Sequence, residues 1–210
     1  MARYTDAVCR LCRREQEKLF LKGTKCATEK CPVTRRNYAP GQHGPTKTRM
    51  KVSNYGLQLR EKQKVRRMYG ILERQFRRYF KIASKTKGVT GKMLLQLLER
   101  RLDNVIYRMG VGVSRTQARQ IVRHNFVYVN DTRVNIPSYL VDKDDIIRAQ
   151  AKDKAKKKLL ENLELSKDRS VPGWLAFDAK DLKATVIRLP EKADIILPIE
   201  EQLIVELYSK

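Results

Sequence analysis

Four cysteines near the N-terminus, Cys9, Cys12, Cys26 and Cys31, are the residues whose type and spacing could do chemistry. Successive members are separated by two, thirteen and four residues. Two close pairs joined by a longer loop suit tetrahedral thiolate coordination, since each pair bends around one ion and the loop brings the pairs together. The spacing accommodates one zinc ion or an iron–sulfur cluster, and zinc is placed first. Four thiolates would close the site to water and substrate, so its role is expected to be structural. Disulfides are disfavoured, because Met-Ala-Arg-Tyr-Thr-Asp at the start lacks the apolar stretch of a secretory signal and a cytoplasmic location is expected. A redox pair would want a thioredoxin-like setting, whereas Arg10, Arg13 and Arg14 surround Cys9 and Cys12.

Arginines form the second chemical pattern. Ser114-Arg-Thr-Gln117 is a capping-box signature that predicts a helix starting at Arg115. On it Ala118, Ile121 and Val122 make an apolar stripe, and Arg115, Arg119 and Arg123 run along a flank about 100° away. Upstream, Leu98, Leu102, Val105, Ile106 and Met109 recur at helical spacing while Arg100, Arg101 and Arg108 fall off that face. Taken singly, each of these is more often a solvated surface charge than a ligand contact.

The whole-chain charge tilts the balance. Lys and Arg number 46 against 23 Asp and Glu, a net +23 on 210 residues, which calls for a polyanionic partner. Residues 1–100 hold 26 basic and 7 acidic side chains; residues 101–210 hold 20 and 16. No apolar run approaches the roughly 20 residues of a membrane span. An apolar fraction of 41% suffices for packed cores.

The elements that must position these groups are legible from pattern. Residues 37–47 run through Pro40-Gly41 and Gly44-Pro45 as an extended basic loop carrying His43. Ser53 caps a helix to about Tyr69 with Arg60, Lys64 and Arg67 on one flank. Glu73–Lys85 is strongly amphipathic: Leu72, Phe76, Tyr79, Phe80 and Ala83 face one way, and Arg74, Arg77, Arg78, Lys81 and Lys85 the other. Residues 126–136 read as a hairpin turning at Asn130-Asp131, and residues 145–148 as a third strand. A lysine-rich helix over 152–165, strands at 174–177 and 183–189, and a terminal helix over 200–208 complete the pattern.

Together, Arg101-Leu-Asp103, Tyr107-Arg-Met-Gly110, Ser114-Arg115, Ala118-Arg-Gln120, Val122-Arg-His124, Val129-Asn130 and Ile136-Pro-Ser-Tyr139 resemble the bacterial family of small-subunit ribosomal protein four. Cys9-Arg-Leu-Cys-Arg-Arg14, the two later cysteines and Pro40-Gly-Gln-His-Gly44 resemble its four-cysteine, metal-containing form. So does Leu59-Arg-Glu-Lys-Gln-Lys64 through Tyr69-Gly70, and the resemblance covers essentially the whole chain. It implies an α+β protein. A metal-nucleated module (1–45) and a helical domain (46–98, joined by the terminal helix 200–210) would come first. A second domain (99–199) would carry the helix-pair and β-hairpin RNA-binding motif (about 99–162) and a small antiparallel sheet. The implied function is non-catalytic: binding a multi-helix junction of 16S rRNA, nucleating small-subunit assembly, and contributing to translational accuracy beside the fifth small-subunit protein. Where the family shows glycine at three turns, this chain has Asn125, Asp131 and Asp144, which tolerate the same left-handed backbone.

The expected RNA-contacting set is broad. In the N-terminal part it comprises Arg3, Arg10, Arg13, Arg14, Lys22, Arg35, Arg36, His43, Lys47, Arg49 and Lys51. From the helices it takes Arg60, Lys62, Lys64, Arg67, Arg74, Arg77, Arg78, Lys81 and Lys85. From the motif it takes Arg100, Arg101, Arg108, Arg115, Arg119, Arg123, His124 and Asn130. Tyr38, Tyr55 and His43 are candidate base stackers, with Tyr55 at least as much a candidate for the core. Two other readings compete: an RNA-modifying enzyme carrying the same motif, and a zinc-containing DNA-binding regulator. About sixty residues after Ala149, without His or Cys, are too few for a catalytic domain.

Overall fold

Helices in the first half are set by caps and apolar stripes, and those in the second half are folded onto a sheet. The structure, a computed structural model, describes residues 4–45, 53–195 and 198–209. Arg3, Lys47, Arg49 and Lys51 lie outside the described residues. The chain divides into two units, 1–91 with 197–210, and 92–196, the division falling within one helix. The architecture is α+β.

In the first unit, short helices α1 (Cys9–Glu15) and α2 (Pro32–Arg35) flank a 3₁₀ turn at Gly23–Cys26. Ser53 caps α3 (Asn54–Met68), its Oγ accepting from the Gly56 N–H at 3.1 Å. Helix α4 (Glu73–Lys85) buries Phe76, Tyr79 and Ala83. Helix α9 (Glu201–Tyr208) closes the unit, with Tyr208 stacked 4.6 Å from Phe80 and Gln58 Nε2 donating to Glu206 at 2.9 Å.

Glu73 ties these helices together. Its carboxylate accepts from Lys62 Nζ at 2.9 Å and from the Tyr208 hydroxyl at 2.8 Å. Burial alone would raise its pKa, yet the Lys62 and Tyr208 hydrogen bonds and the Lys62 and Arg66 charges hold it below the usual carboxylate value. Burial foremost, and then the bond to Glu73 and its charge, push the Tyr208 hydroxyl up. A carboxylate depressed in the folded state contributes stability above its unfolded pKa, lost as pH falls through the folded value. We therefore expect the urea midpoint to drop between pH 6 and pH 3, and Glu73→Gln to flatten part of that drop while lowering the midpoint at pH 6. An unchanged acid limb in the variant would contradict the assignment.

The second unit packs α6 (Leu102–Arg108) and α7 (Arg115–Arg123) against a five-stranded antiparallel sheet. The strands are β1 (Val127–Val129), β2 (Thr132–Arg133), β3 (Ile146–Ala149), β4 (Leu175–Asp178) and β5 (Lys183–Val186), in the order β2-β1-β3-β5-β4. Tyr128 pairs with Arg133 and Arg148, and Arg148 with Lys183, so one row of outward side chains crosses the sheet. The inward face shares a core with Val105, Ile106, Ala118, Val122 and Trp174. Helix α8 (Asp153–Glu164) contributes Leu159 to that core. Gly112 sits so close to α7 that an added Cβ would lie 2.8 Å from the Ala118 Cβ, which seats the start of that helix.

The three glycine replacements adopt the expected left-handed backbone, with φ of 64° at Asn125, 63° at Asp131 and 67° at Asp144. Asn130 joins Asp131 at φ 48°, giving the two positive central angles of a type I′ hairpin.

One expectation fails. The apolar spacing from Leu98 to Met109 suggests continuity, but the helix breaks between α5 (Thr90–Glu99) and α6. Arg101 forms an extended step bridged to Leu140, and its neighbours pair on either side: Leu102 N–H donates to Tyr139 O at 2.8 Å and Val141 N–H to Arg100 O at 3.0 Å. That pairing turns Arg101 inward.

Candidate nucleic-acid interface

The cysteine module is built from helix ends. Cys9 opens α1, Cys12 lies within it, Cys26 ends the 3₁₀ turn and Cys31 is the N-cap of α2, with Pro32 at the first helical position. All four thiols are free of disulfides, and Cys12, Cys26 and Cys31 are buried. Burial pushes the Cys12 thiol up to about 11, against a hydrogen bond from the Leu19 backbone and aided by Cys26, Cys9 and Cys31. Burial also raises Cys26, whose sulfur accepts from the Lys22 N–H at 3.3 Å. The four thiols are thus electrostatic neighbours. Among the described residues, no three His, Cys, Asp or Glu side chains are gathered closely enough to hold an ion as they stand.

Around this module Arg10, Arg14, Lys22, Arg35, Arg36 and His43 are exposed. Arg13 is turned to the protein: its Nε donates to Tyr38 O at 3.1 Å and its guanidinium lies 4.8 Å from the Tyr38 ring centre. Tyr38 is half-buried beneath that cation, whereas Tyr55 is 57% exposed.

Helix α3 departs most from its expected role in this unit. Lys62 is buried against Glu73, so it is corrected from RNA contact to internal partner. Arg60 and Arg67 converge on Glu15, and Lys64 pairs with Glu61 at 2.9 Å while donating to Pro198 O at 2.7 Å. Burial raises Glu15 and lowers Arg67, in each case against the attraction of the other. These cations neutralise carboxylates that would otherwise be stranded. Their sequence spacing on one flank is equally that of an interior seam.

Helix α4 keeps the expected face. Arg74, Arg77, Arg78, Lys81 and Lys85 are exposed, and Glu73, the acid of that helix, is drawn toward Lys62, Arg66 and Tyr208. Arg77 alone reaches back, 3.4 Å from Glu73, with its side chain 71% exposed.

In the second unit, a buried charge network replaces the expected arginine surface. Arg101, 0% exposed, forks onto Asp103 at 3.0 and 2.6 Å, and Arg108 forks onto Glu99 at 2.9 and 2.8 Å. Asn104 Nδ2 donates to Glu99 at 2.8 Å. Both arginines are therefore corrected from RNA contacts to interior partners. The whole of α6 is buried, so falling off its apolar stripe does not mean facing water. Arg100 pairs with Asp142, and Asn130 commits its amide to the Ile146 N–H and to Asp145. Asn130 therefore fixes the hairpin to β3.

On α7, Ser114 Oγ accepts from the Gln117 N–H as expected, but Gln117 Oε1 reaches back to the Val113 N–H, one residue further than a capping box requires. Arg115 donates to Asn104 and lies 4.3 Å from the Tyr107 ring centre. Arg119 reaches Asp103 at 3.3 Å, and burial lowers its pKa against that attraction. Both are half-buried; Arg123 and His124 are exposed. A residue absent from the expected set, Arg169, donates to Tyr107 O, Gly112 O and Val113 O at 2.8, 3.2 and 3.0 Å. It lies in a polar stretch with no periodicity, so no sequence signal singles it out.

Comparison with known proteins agrees with this geometry. Residues 3–99 match the model of the ribosomal protein S4/S9 N-terminal domain, and residues 100–147 that of the S4 domain. The chain is 60% identical to the small ribosomal subunit protein uS4 of Acetivibrio thermocellus over 210 residues, covering all of both chains. It is 58% identical to that of Thermodesulfovibrio yellowstonii and 59% to that of Pelotomaculum thermopropionicum, again over the full length of each. With both domain models in sequence order and relatives aligned end to end, the chain belongs to the uS4 family of small ribosomal subunit proteins.

Proposed function

We propose that this protein is a non-catalytic, RNA-binding structural component of the small ribosomal subunit, working in the cytoplasm and engaging a folded multi-helix junction of 16S rRNA. The observation that carries the reading is the face of α4, five exposed cations held at fixed spacing by a buried apolar stripe. Arg and Lys on such a face neutralise phosphates and release counterions, while rigid placement matches them to one RNA shape. Double-stranded RNA hides its base edges, so selectivity rests on shape, 2′-hydroxyls and unpaired bases. Family membership supports the early assembly role and the contribution to accuracy beside the fifth small-subunit protein. It sets aside the modifying-enzyme and DNA-regulator readings. Affinity for the folded junction is expected to exceed that for unstructured homopolymer by about 10³ or more at physiological salt. Equal affinity would overturn the reading.

We further propose that Cys9, Cys12, Cys26 and Cys31 hold one structural zinc. Supporting this are the shared neighbourhood of the four thiols and the N–H donors at Cys12 and Cys26, of the kind that orient thiolate ligands. Zinc would supply folding energy by drawing the thiolates together, fixing the exposed arginines nearby. Purified protein is expected to carry about one zinc per chain, and chelation to cost helical content and RNA affinity. Metal-free protein with unchanged structure would rule it out.

A further inference from the structure

Helix α7 carries a second polar flank that the arginine pattern obscures. Gln117, Gln120 and His124 lie about 130° around the helix from Arg115, Arg119 and Arg123, at roughly 100° per residue. They face α8, where Ala155, Lys158, Leu159 and Asn162 repeat the same i, i+3, i+4, i+7 spacing. Between the helices is an open cleft of about 220 Å³.

Its walls have the chemistry of a base-binding site. Ile121 and Leu159 make a buried apolar floor, and Ala155 is too small to fill the space above it. The left-handed turn at Asn125 brings the rings of His124 and Phe126 to 6.2 Å, tilted 41° to one another, with half-buried Phe126 resting on the core and offering an aromatic wall. Amides supply an edge: Gln117 Nε2 donates to Asn162 Oδ1 at 3.0 Å, leaving that oxygen one further lone pair, and Gln120 is exposed beside them. None of the lining residues is acidic, and exposed Lys158 is placed for a phosphate. Aromatic surface, amides and one cation without carboxylates suit an unpaired nucleotide.

We propose that this cleft binds a single unpaired nucleotide, its base stacked on Phe126 with His124 at its edge and its phosphate on Lys158. The inference rests on the RNA-binding reading above and adds a site on the flank of α7 opposite its arginines. The nucleotide comes either from an extruded position of the bound RNA or from a free mononucleotide, and the test separates them. The full chain would be titrated with the folded junction transcript and, separately, with adenosine and uridine 5′-monophosphate, following the Phe126, His124 and Lys158 resonances. For an extruded nucleotide, Phe126→Leu weakens junction binding about 10- to 100-fold and Lys158→Gln by a smaller factor. An abasic residue at the nucleotide that cross-links to Phe126 then gives the same loss, which Phe126→Leu does not deepen. For a free nucleotide, the monophosphates shift those resonances while both variants leave junction affinity intact. Circular dichroism on Phe126→Leu separates misfolding from lost stacking, and Lys158→Gln and Gln120→Ala, both at exposed positions, carry the test independently. Unchanged junction affinity in every variant, with no monophosphate response, would overturn the site. Junction binding by the parent chain in that experiment would leave the broader RNA-binding reading standing.

Discussion

Arg108→Met should destabilise the second unit by about 3–5 kcal/mol, the cost of taking the cation away from a buried carboxylate. Glu99 is 1% exposed and takes both prongs of the Arg108 guanidinium along with the Asn104 amide. Without the guanidinium, neutral donors such as that amide must compensate an interior charge, and the side chain must either protonate or open the packing around it. Urea unfolding monitored through Trp174, which is fully buried in the same core, reads the loss. The double replacement Glu99→Leu, Arg108→Met should recover most of it, because removing both charges together is often neutral or stabilising. An RNA-contact role for Arg108 makes the opposite forecast: unchanged stability, with a shallower salt dependence of RNA binding. Equal stability of the single variant and the parent would return Arg108 to the interface.

Replacing Arg74, Arg78, Lys81 and Lys85 by Gln should reduce the slope of log affinity against log salt by about 3 to 4, near one unit for each phosphate that is no longer neutralised. All four are exposed on α4, so the core beneath is untouched. The free protein should meanwhile gain roughly 0.2–0.5 kcal/mol for each i, i+4 repulsion relieved, since Arg74 faces Arg78 and Lys81 faces Lys85 along the helix. Opposite signs in the two measurements distinguish a face shaped by its ligand from a merely solvated one. A parallel fall in stability and affinity would mean the charges serve the fold.

What the sequence reveals divides along a physical line. Elements governed by local chemistry are legible: the Ser53 and Ser114 caps, the α4 stripe and the turns at Asn125, Asp131 and Asp144 need only neighbouring residues to specify them. The fate of a charge is different, because it depends on what the tertiary structure places opposite. Arg101 and Arg123 are the same residue type near apolar stripes of the same module, yet one is sealed against Asp103 and the other is exposed. The distinction lies in Asp103 and Glu99, carboxylates with no external reason to be inside until an arginine meets them. A surplus of positive charge hides this, since the few acids in a basic chain are the ones its interior cations claim. Arg60, Arg67 and Lys62 repeat the lesson in the first unit through Glu15 and Glu73.

The Asn162 and Arg169 bonds show that the familiar boundary of the S4 domain is not a boundary of mechanical support. That match ends at residue 147, while the connection between α6 and α7 is held by side chains from beyond it: Asn162 Nδ2 on Val111 O, and Arg169 on Tyr107 O, Gly112 O and Val113 O. An excised 100–147 peptide would surrender these carbonyl partners at the loop that aims α7, and so would present that helix on a loosened hinge. In this chain the scaffold for reading RNA is a property of sequence some twenty residues downstream of the module that carries the name.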